Sequence, residues 1–423
     1  MRTPDYSRRV AVTGLGVISP VGQDVGTVWD NLVNGRSGLR RITRWDASAL
    51  DCQAGGEVDF DPAQWMDFKA ARRTSRNVVM GVAAAQQALA DSGLEVTDAN
   101  RDEIGIVFGS GAGGPELLMD NVVIRDTRGP RAVSPFFIAN MLPDTASGQI
   151  AIETGIRGHN VCIVTACSTG TSCIGEAAEA IKRGDIIGAI AGSTETPVHE
   201  MAYLGFTNMR GMGTPRDGEG LETISRPYDV TRDGFVLGEG AGALVLEDLE
   251  LAKARGARIY AEIVGYGSAA DAWDLIQPVE RGDGVRRAMA MALARHRVPA
   301  DEVDMINPHG TSTPVGDLRE AQAISDVFGA HTPNVLISAT KSMTGHMMGA
   351  CGSFEGIATV LSVHEQVVPA TMNTREIDPE IAATGVTVLT GESREMPVRY
   401  GMSCNVGLGG HNAAVIFKRF DGD

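Results

Sequence analysis

The chain has 423 residues, a formal net charge of −16 and an aromatic content of only 5%. That length exceeds the size at which a single core stops growing, so two core-bearing halves are expected. The acidic excess argues against broad nucleic-acid binding, which needs an extended basic surface, and no apolar run has the length to span a bilayer. The six cysteines, Cys52, Cys162, Cys167, Cys173, Cys351 and Cys404, show neither paired metal spacing nor a disulfide framework, so a reducing cytoplasm is the expected compartment.

The opening "MRTPDYSRRVAVTGLGVISPVG" places basic residues before a Gly-broken apolar run. It lacks the long apolar region and small-residue cleavage site of a signal peptide and is predicted as a strand. Gly14-Leu15-Gly16 invites a dinucleotide-binding reading, but Ser19 stands where the third glycine belongs and Pro20 follows; a partial match is weak evidence. "SRNVVMGVAAAQQALADSGL" is predicted as a helix and "EIGIVFGSGAGG" as a strand running into a glycine loop. The β-branched Ile163-Val164-Thr165 reads as a strand that stops at Ala166-Cys167. A helix follows in "STGTSCIGEAAEAIKRG", with Ile174, Ala178 and Ile181 on one face and Lys182, Arg183 and Gly184 at its end. "DIIGAIAGSTET" is a strand, and "GAGALVLEDLELAKARGARIYAEIVGYG" reads strand, helix, strand.

The second part repeats the style. "GDGVRRAMAMALARHRV" is a helix, "VDMINPHGTSTP" a strand ending in a polar loop, and "DLREAQAISDVFG" and "GSFEGIATVLSVHEQVV" are helices before the closing strand "AAVIFKRF". Alternating strands and helices predict an α/β architecture with covered sheets. No low-complexity segment or Pro-rich linker intervenes, and a seam near 250–260 divides residues 1–255 from 256–423.

Cys167 is thus predicted at a helix N-terminus, where the helix partial charge and free N–H groups favour a thiolate. Ala166, Ser168 and Gly170 leave room beside it. A cysteine nucleophile needs proton-handling partners, and two of the eight histidines sit in distinctive loops: His309 in "NPHGTSTPVGD" and His346 in "ATKSMTGHMMGACG", which also holds Lys341. Strand-end loops are where α/β folds collect catalytic groups. The glycines of "SCNVGLGGHN" allow close backbone approach and suit an oxyanion hole.

Taken together, "TACSTG", "SRPYDVTRDGFVLGEGAG", "NPHGTSTPVGD", "TKSMTGHMMGACG" and "NVGLGG" resemble the elongating β-ketoacyl-acyl-carrier-protein synthases, the synthase II type of dissociated fatty-acid and polyketide synthesis. The resemblance runs over nearly the whole chain. It implies the thiolase-like fold: two βαβαβαββ halves stacked as a five-layer α-β-α-β-α sandwich, the nucleophile in the first half and the histidines in the second. It also implies a Cys167-His309-His346 acyltransferase that condenses a Cys-bound acyl chain with malonyl-carrier protein, with no metal or redox cofactor. The N–H groups of Cys167 and Leu408 would form the oxyanion hole, Lys341 and Glu320 would pair to fix the histidine loops, and Thr311 and Thr313 would hold the phosphopantetheine arm. Acyl carrier protein is the implied partner, docking on Lys69, Arg72, Arg73 and Arg210. Arg76 adds a further charge to the same "FKAARRTSR" stretch. The implied assembly is a homodimer, or a heterodimer with a chain-length-factor-like homologue.

Three departures fall at the implied acyl pocket, near Phe206. The "FGFGG" loop of the family is Val406-Gly407-Leu408-Gly409-Gly410 here, Ala112 replaces a larger aliphatic residue, and Asp274 stands where histidine is usual. Lost core volume is refilled or leaves a cavity, so a changed acyl substrate, such as a polyketide or polyene chain, is expected as readily as ordinary fatty-acid elongation. A thiolase-like, non-decarboxylating acyltransferase is the competing chemistry, with Cys404 as its second thiol. An inactive chain-length factor is disfavoured because Cys167 is present.

Overall fold

The apolar strands of the first half are β1 (Val10–Ile18), β2 (Ile104–Gly109), β3 (Asn160–Val161), β4 (Gly188–Glu195) and β5 (Gly240–Asp248) in the computed structural model, which describes residues 7–422. Except in the short β3, they are buried almost throughout, as expected of strands covered on both faces by helices. They line up β3-β2-β4-β5-β1. β2 runs parallel to β3 and β4, whereas β5 is antiparallel to both β4 and β1.

The second half supplies β6 (Ala261–Ala270), β7 (Val303–Asn307), β8 (Leu336–Ile337), β9 (Thr387–Val388), β10 (Tyr400–Gly407) and β11 (His411–Lys418). Their order is β9-β8-β7-β10-β11-β6. With the added edge strand β9 set aside, the order and the parallel and antiparallel senses repeat those of the first half. The two sheets meet at one corner, where Ala11 and Val12 of β1 pair with Glu262 and Ala261 of β6.

Six helices make the layers and a seventh, α2, lies outside them: α1 (Arg76–Ser92), α2 (Pro115–Arg128), α3 (Thr145–Thr154), α4 (Thr169–Arg183), α5 (Asp283–His296), α6 (Pro314–Phe328) and α7 (Cys351–Glu365). α1 and α3 cover the first sheet, α5 with α6 covers the second, and α4 packs on α7 between them. This is the α-β-α-β-α sandwich. Residues Cys351 to Val363 of α7 are all buried, as a central layer requires. At Gly170 a Cβ would lie 2.2 Å from the Ser353 backbone nitrogen, so α4 and α7 cross too closely for a side chain.

One predicted element is shorter than expected. Ladder pairing stops at Val161, and Ile163-Val164-Thr165 runs on without strand partners. β3 has a neighbour on one side only, so each further extended residue gains little. Ala166 then turns through the left-handed region at φ 49°. Among the described residues, no helix is long and apolar enough to cross a membrane.

Candidate active site

A 3₁₀ turn, Ala166–Ser168, runs directly into α4, so Cys167 does stand at a helix N-terminus. The end of β10 passes close by: a Cβ on Gly407 would meet the Thr165 carbonyl oxygen at 2.5 Å, which only glycine avoids. That approach aims the N–H of Leu408 at the Cys167 sulfur, alongside the N–H of Cys167 itself. His346 Nε2 lies 3.2 Å from the same sulfur.

The expected thiolate does not follow. Burial pushes the Cys167 thiol up to about 11, outweighing the Leu408 N–H and the Lys341 charge. Desolvation of a thiolate costs more here than the helix terminus returns. Cys167 therefore rests as a thiol, with two backbone N–H groups and His346 Nε2 beside its sulfur.

His309 follows β7, and its ring meets that of His346 edge to face at 5.2 Å. Both imidazoles are held well below the usual histidine range, first by burial and then by the Lys341 charge. They are neutral at pH 7 and able to donate one N–H each. Asn405 Nδ2 sits 3.5 Å from His309 Nδ1 and donates to Glu355 Oε2 at 2.7 Å. Phe235 packs its ring against His346 at 5.3 Å and against Phe206 at 5.3 Å.

The implied Lys341–Glu320 pair is replaced. Lys341 Nζ pairs with Glu355 of α7. Glu320 of α6 instead accepts from the backbone N–H groups of His309 and Gly310, at 2.6 and 2.8 Å, and from the Tyr228 hydroxyl. Its two oxygens are occupied in shaping the His309 loop, and Lys341 reaches it only as a through-space charge. Burial pulls Lys341 down, but the Glu355 and Glu320 charges outweigh it and raise it to about 12.

A cavity of about 460 Å³ opens onto these groups and is lined by Cys167, His309, His346, Glu320, Thr311, Thr313, Phe206, Arg210, Asp274, Val406 and Leu408, among others. The Thr311 and Thr313 hydroxyls are 3.1 Å apart. The loops at its mouth are tied together: Gly409 N–H donates to the Leu275 carbonyl, Asp271 N–H to that of Gly410, and Asn412 Nδ2 to Asp271. Asp274 accepts from the N–H groups of Ile276 and Gln277 at 2.8 Å, so it shapes the turn there.

Some predicted residues lie apart. Ala112 does not line this cavity; it is exposed, in the loop after β2, with its N–H on Glu195. Lys69, Arg72 and Arg73 are exposed on and beside the short helix Phe68–Ala71 and make no ion pair among the described residues. Arg72 stacks on Phe68 and Arg73 on Phe136. Arg76 leaves the patch: it turns inward and pairs with Glu239 at 2.8 Å. Cys404, the second thiol of the thiolase alternative, is fully buried against Glu320 and does not reach the cavity.

Glu355, Asn405, Phe235, Cys351 and Glu195 were not anticipated. Glu355 had a signal in the sequence, a lone acid inside the apolar helix "GSFEGIATVL". Glu195 ends β4 and accepts from Ser110, Gly111, Ala112 and Gly349, joining the glycine loop to the His346 loop. Burial raises it to about 7.

Residues 7–252 match the Beta-ketoacyl synthase N-terminal domain, and residues 260–375 the Beta-ketoacyl synthase C-terminal domain. The 3-oxoacyl-[acyl-carrier-protein] synthase 2 of Staphylococcus aureus strain N315 is 43% identical over 417 residues, 98% of this chain and 99% of that protein. The synthase 2 of Synechocystis sp. is 43% identical over 414 residues, 98% of each chain. Among solved structures, the ishigamide ketosynthase/chain length factor superposes with a TM-score of 0.89 at 34% identity, covering 98% of this chain and 99% of that one. With its repeated sheet order, its Cys-His-His cluster and these matches over both halves, the chain belongs to the β-ketoacyl synthase family of condensing acyltransferases.

Proposed function

We propose that the protein joins an acyl chain, held on Cys167, to malonyl-acyl-carrier protein and releases 3-oxoacyl-carrier protein and carbon dioxide. The observation that carries this reading is one thiol facing two neutral imidazoles, with His346 Nε2 3.2 Å from the sulfur. Loading is a thioester exchange: the sulfur attacks the acyl carbonyl, the bond to pantetheine breaks, and the Cys167 proton ends on the departing thiol. The Leu408 and Cys167 N–H groups hold the oxyanion.

Malonyl-carrier protein then enters. Its carboxylate leaves as carbon dioxide, and the C–C bonding pair forms an enolate whose oxygen receives N–H donation from His309 and His346. The enolate carbon attacks the acyl group, the C–S bond to Cys167 breaks, and the sulfur leaves as a thiolate that takes a proton from water to regain the resting thiol. The electron pair comes from the C–C bond, so the scheme balances without metal or redox cofactor. Thr311 and Thr313 are assigned to the pantetheine arm, and Lys69, Arg72, Arg73 and Arg210 to an acidic carrier protein. A reducing cytoplasm suits the six free thiols. The buried Cys404 disfavours a thiolase cycle.

A second reading concerns the pathway. Val406 and Leu408 at the cavity, together with the likeness to the ishigamide ketosynthase/chain length factor, favour chain extension outside ordinary fatty-acid synthesis. A partner chain, identical or homologous, is also assigned. Leu118, Val122 and Val123 of α2, Phe136, Ile138 and Leu142, and Ile152 of α3 are exposed apolar side chains beside the outer edge of β3. Incubation with acyl- and malonyl-carrier proteins, read by mass spectrometry, should give a 3-oxoacyl-carrier product; transfer without carbon dioxide release would contradict the proposal.

A further inference from the structure

Which nitrogen of His346 carries the proton decides what the ring can do. An Nε2–H ring can donate to an enolate oxygen, whereas an Nδ1–H ring presents a lone pair there instead. The Nδ1 side of His346 faces the sulfur of Cys351 at 3.2 Å. That sulfur also accepts the Met347 N–H at 3.1 Å. Cys351 is fully buried as the first residue of the central helix α7. It stands on the far side of the imidazole from Cys167, which contacts Nε2.

We propose that Cys351 is a positioning residue for the condensation: its S–H donates to His346 Nδ1 and so fixes the Nε2–H form that faces Cys167 and the enolate. The reading rests on the function proposed above. Its support is local. The Met347 N–H already occupies one acceptor side of the sulfur, and His346 Nδ1 is the acceptor in reach of the thiol proton. Burial, the largest effect, holds the Cys351 thiol well above its ordinary range, so the proton stays on sulfur throughout the working pH range. His346 is held in place independently, its backbone N–H on the Val236 carbonyl and its ring packed against Phe235. Cys351 therefore supplies the protonation state rather than the place of the ring. This is the logic by which a neighbouring acceptor or donor sets a histidine tautomer in other enzymes.

The test uses the full chain labelled with ¹⁵N-histidine, with the His346 signals assigned by their loss in His346→Asn. The wild type should show Nε2 protonated and Nδ1 bare. In Cys351→Ala the Nδ1–H form should appear, and kcat for malonyl-carrier decarboxylation should fall roughly tenfold or more. KM and acyl transfer to Cys167 should be unchanged, which also shows that the variant is folded. Cys351→Ser, which keeps a donor, should restore both the tautomer and kcat. An Nδ1–H wild type overturns the proposal, as does a kcat loss with the tautomer unmoved, or a serine variant that behaves like alanine. A wild type that does not decarboxylate malonyl-carrier protein sinks the functional reading instead, while the ¹⁵N spectra still decide the tautomer.

Discussion

In the proposed cycle, two neutral imidazoles and a protonated thiol divide the reaction between them. Loading is proton-neutral and needs only the Cys167 sulfur and its backbone donors, whereas the enolate needs donors on a carbonyl oxygen. His309→Ala and His346→Ala should each slow malonyl decarboxylation by about 10²–10³, the usual loss for one oxyanion donor. Both should leave acylation of Cys167 largely intact, measured as acyl-enzyme mass against labelled carbon dioxide. Equal loss of both half-reactions would contradict the division. Cys167 is the one cysteine at the cavity among those lining it, so iodoacetamide should label it first. Because its thiol is raised to about 11, the thiolate fraction, and with it the labelling rate, should keep climbing with pH past neutrality. A plateau near pH 7, seen by peptide mapping across pH, would mean that the helix terminus outweighs burial. That Cys167, His309 and His346 would lie together was legible, because each sits in a short motif at an element end. The Lys341–Glu355 pair was not, since the partner lies on a helix whose depth in the centre of the molecule no local pattern reveals.

At the scale of elements, the cavity mouth and the basic helix act separately. The mouth is closed by the 271–277 and 407–412 segments, tied through Gly409, Gly410 and Asn412. Leu408 is one-third exposed there (36%), where the family carries an aromatic ring. Leu408→Phe should turn acceptance away from rigid polyenoyl chains toward saturated chains of equal length. The kcat/KM ratio for matched carrier substrates should move by about tenfold, the scale of a pocket-filling change; an unmoved ratio would return the cavity to ordinary elongation. Arg72 and Arg73 are exposed and make no ion pair among the described residues, whereas Arg76 pairs with Glu239. Reversing Arg72 and Arg73 to Glu should lower kcat/KM for carrier-bound substrate and spare pantetheine thioesters, with the gap closing as salt rises. The sequence placed these arginines on one basic stretch, but a charge run does not show which member turns inward. The strand expected over Ile163–Thr165 failed for a related reason: β-branched residues favour extension, yet pairing depends on a neighbour that β3 has on one side only.

In the whole molecule, two repeats of one sheet order meet around a buried helix pair, α4 and α7. The first brings the thiol and the second the imidazoles, so the site exists only where the halves are stacked. Strand-helix alternation made that class of fold legible, but not the corner where β1 joins β6, which depends on two residue pairs far apart in the chain. Ala112 does not reach the cavity, and the apolar side chains exposed on α2 and α3 suit covering by a second chain. Native mass spectrometry should find dimers, with itself or with a homologue, and Val123→Asp with Ile138→Asp should yield monomers; a monomeric wild type would contradict this assignment. Single turnover of the isolated acyl-enzyme tests decarboxylative condensation on Cys167. On adding malonyl-carrier protein, loss of acyl mass from Cys167 should match carbon dioxide and 3-oxoacyl-carrier protein one for one, and acetyl-carrier protein should not substitute. Equal turnover with acetyl-carrier protein, or acyl mass on another cysteine, would contradict the account.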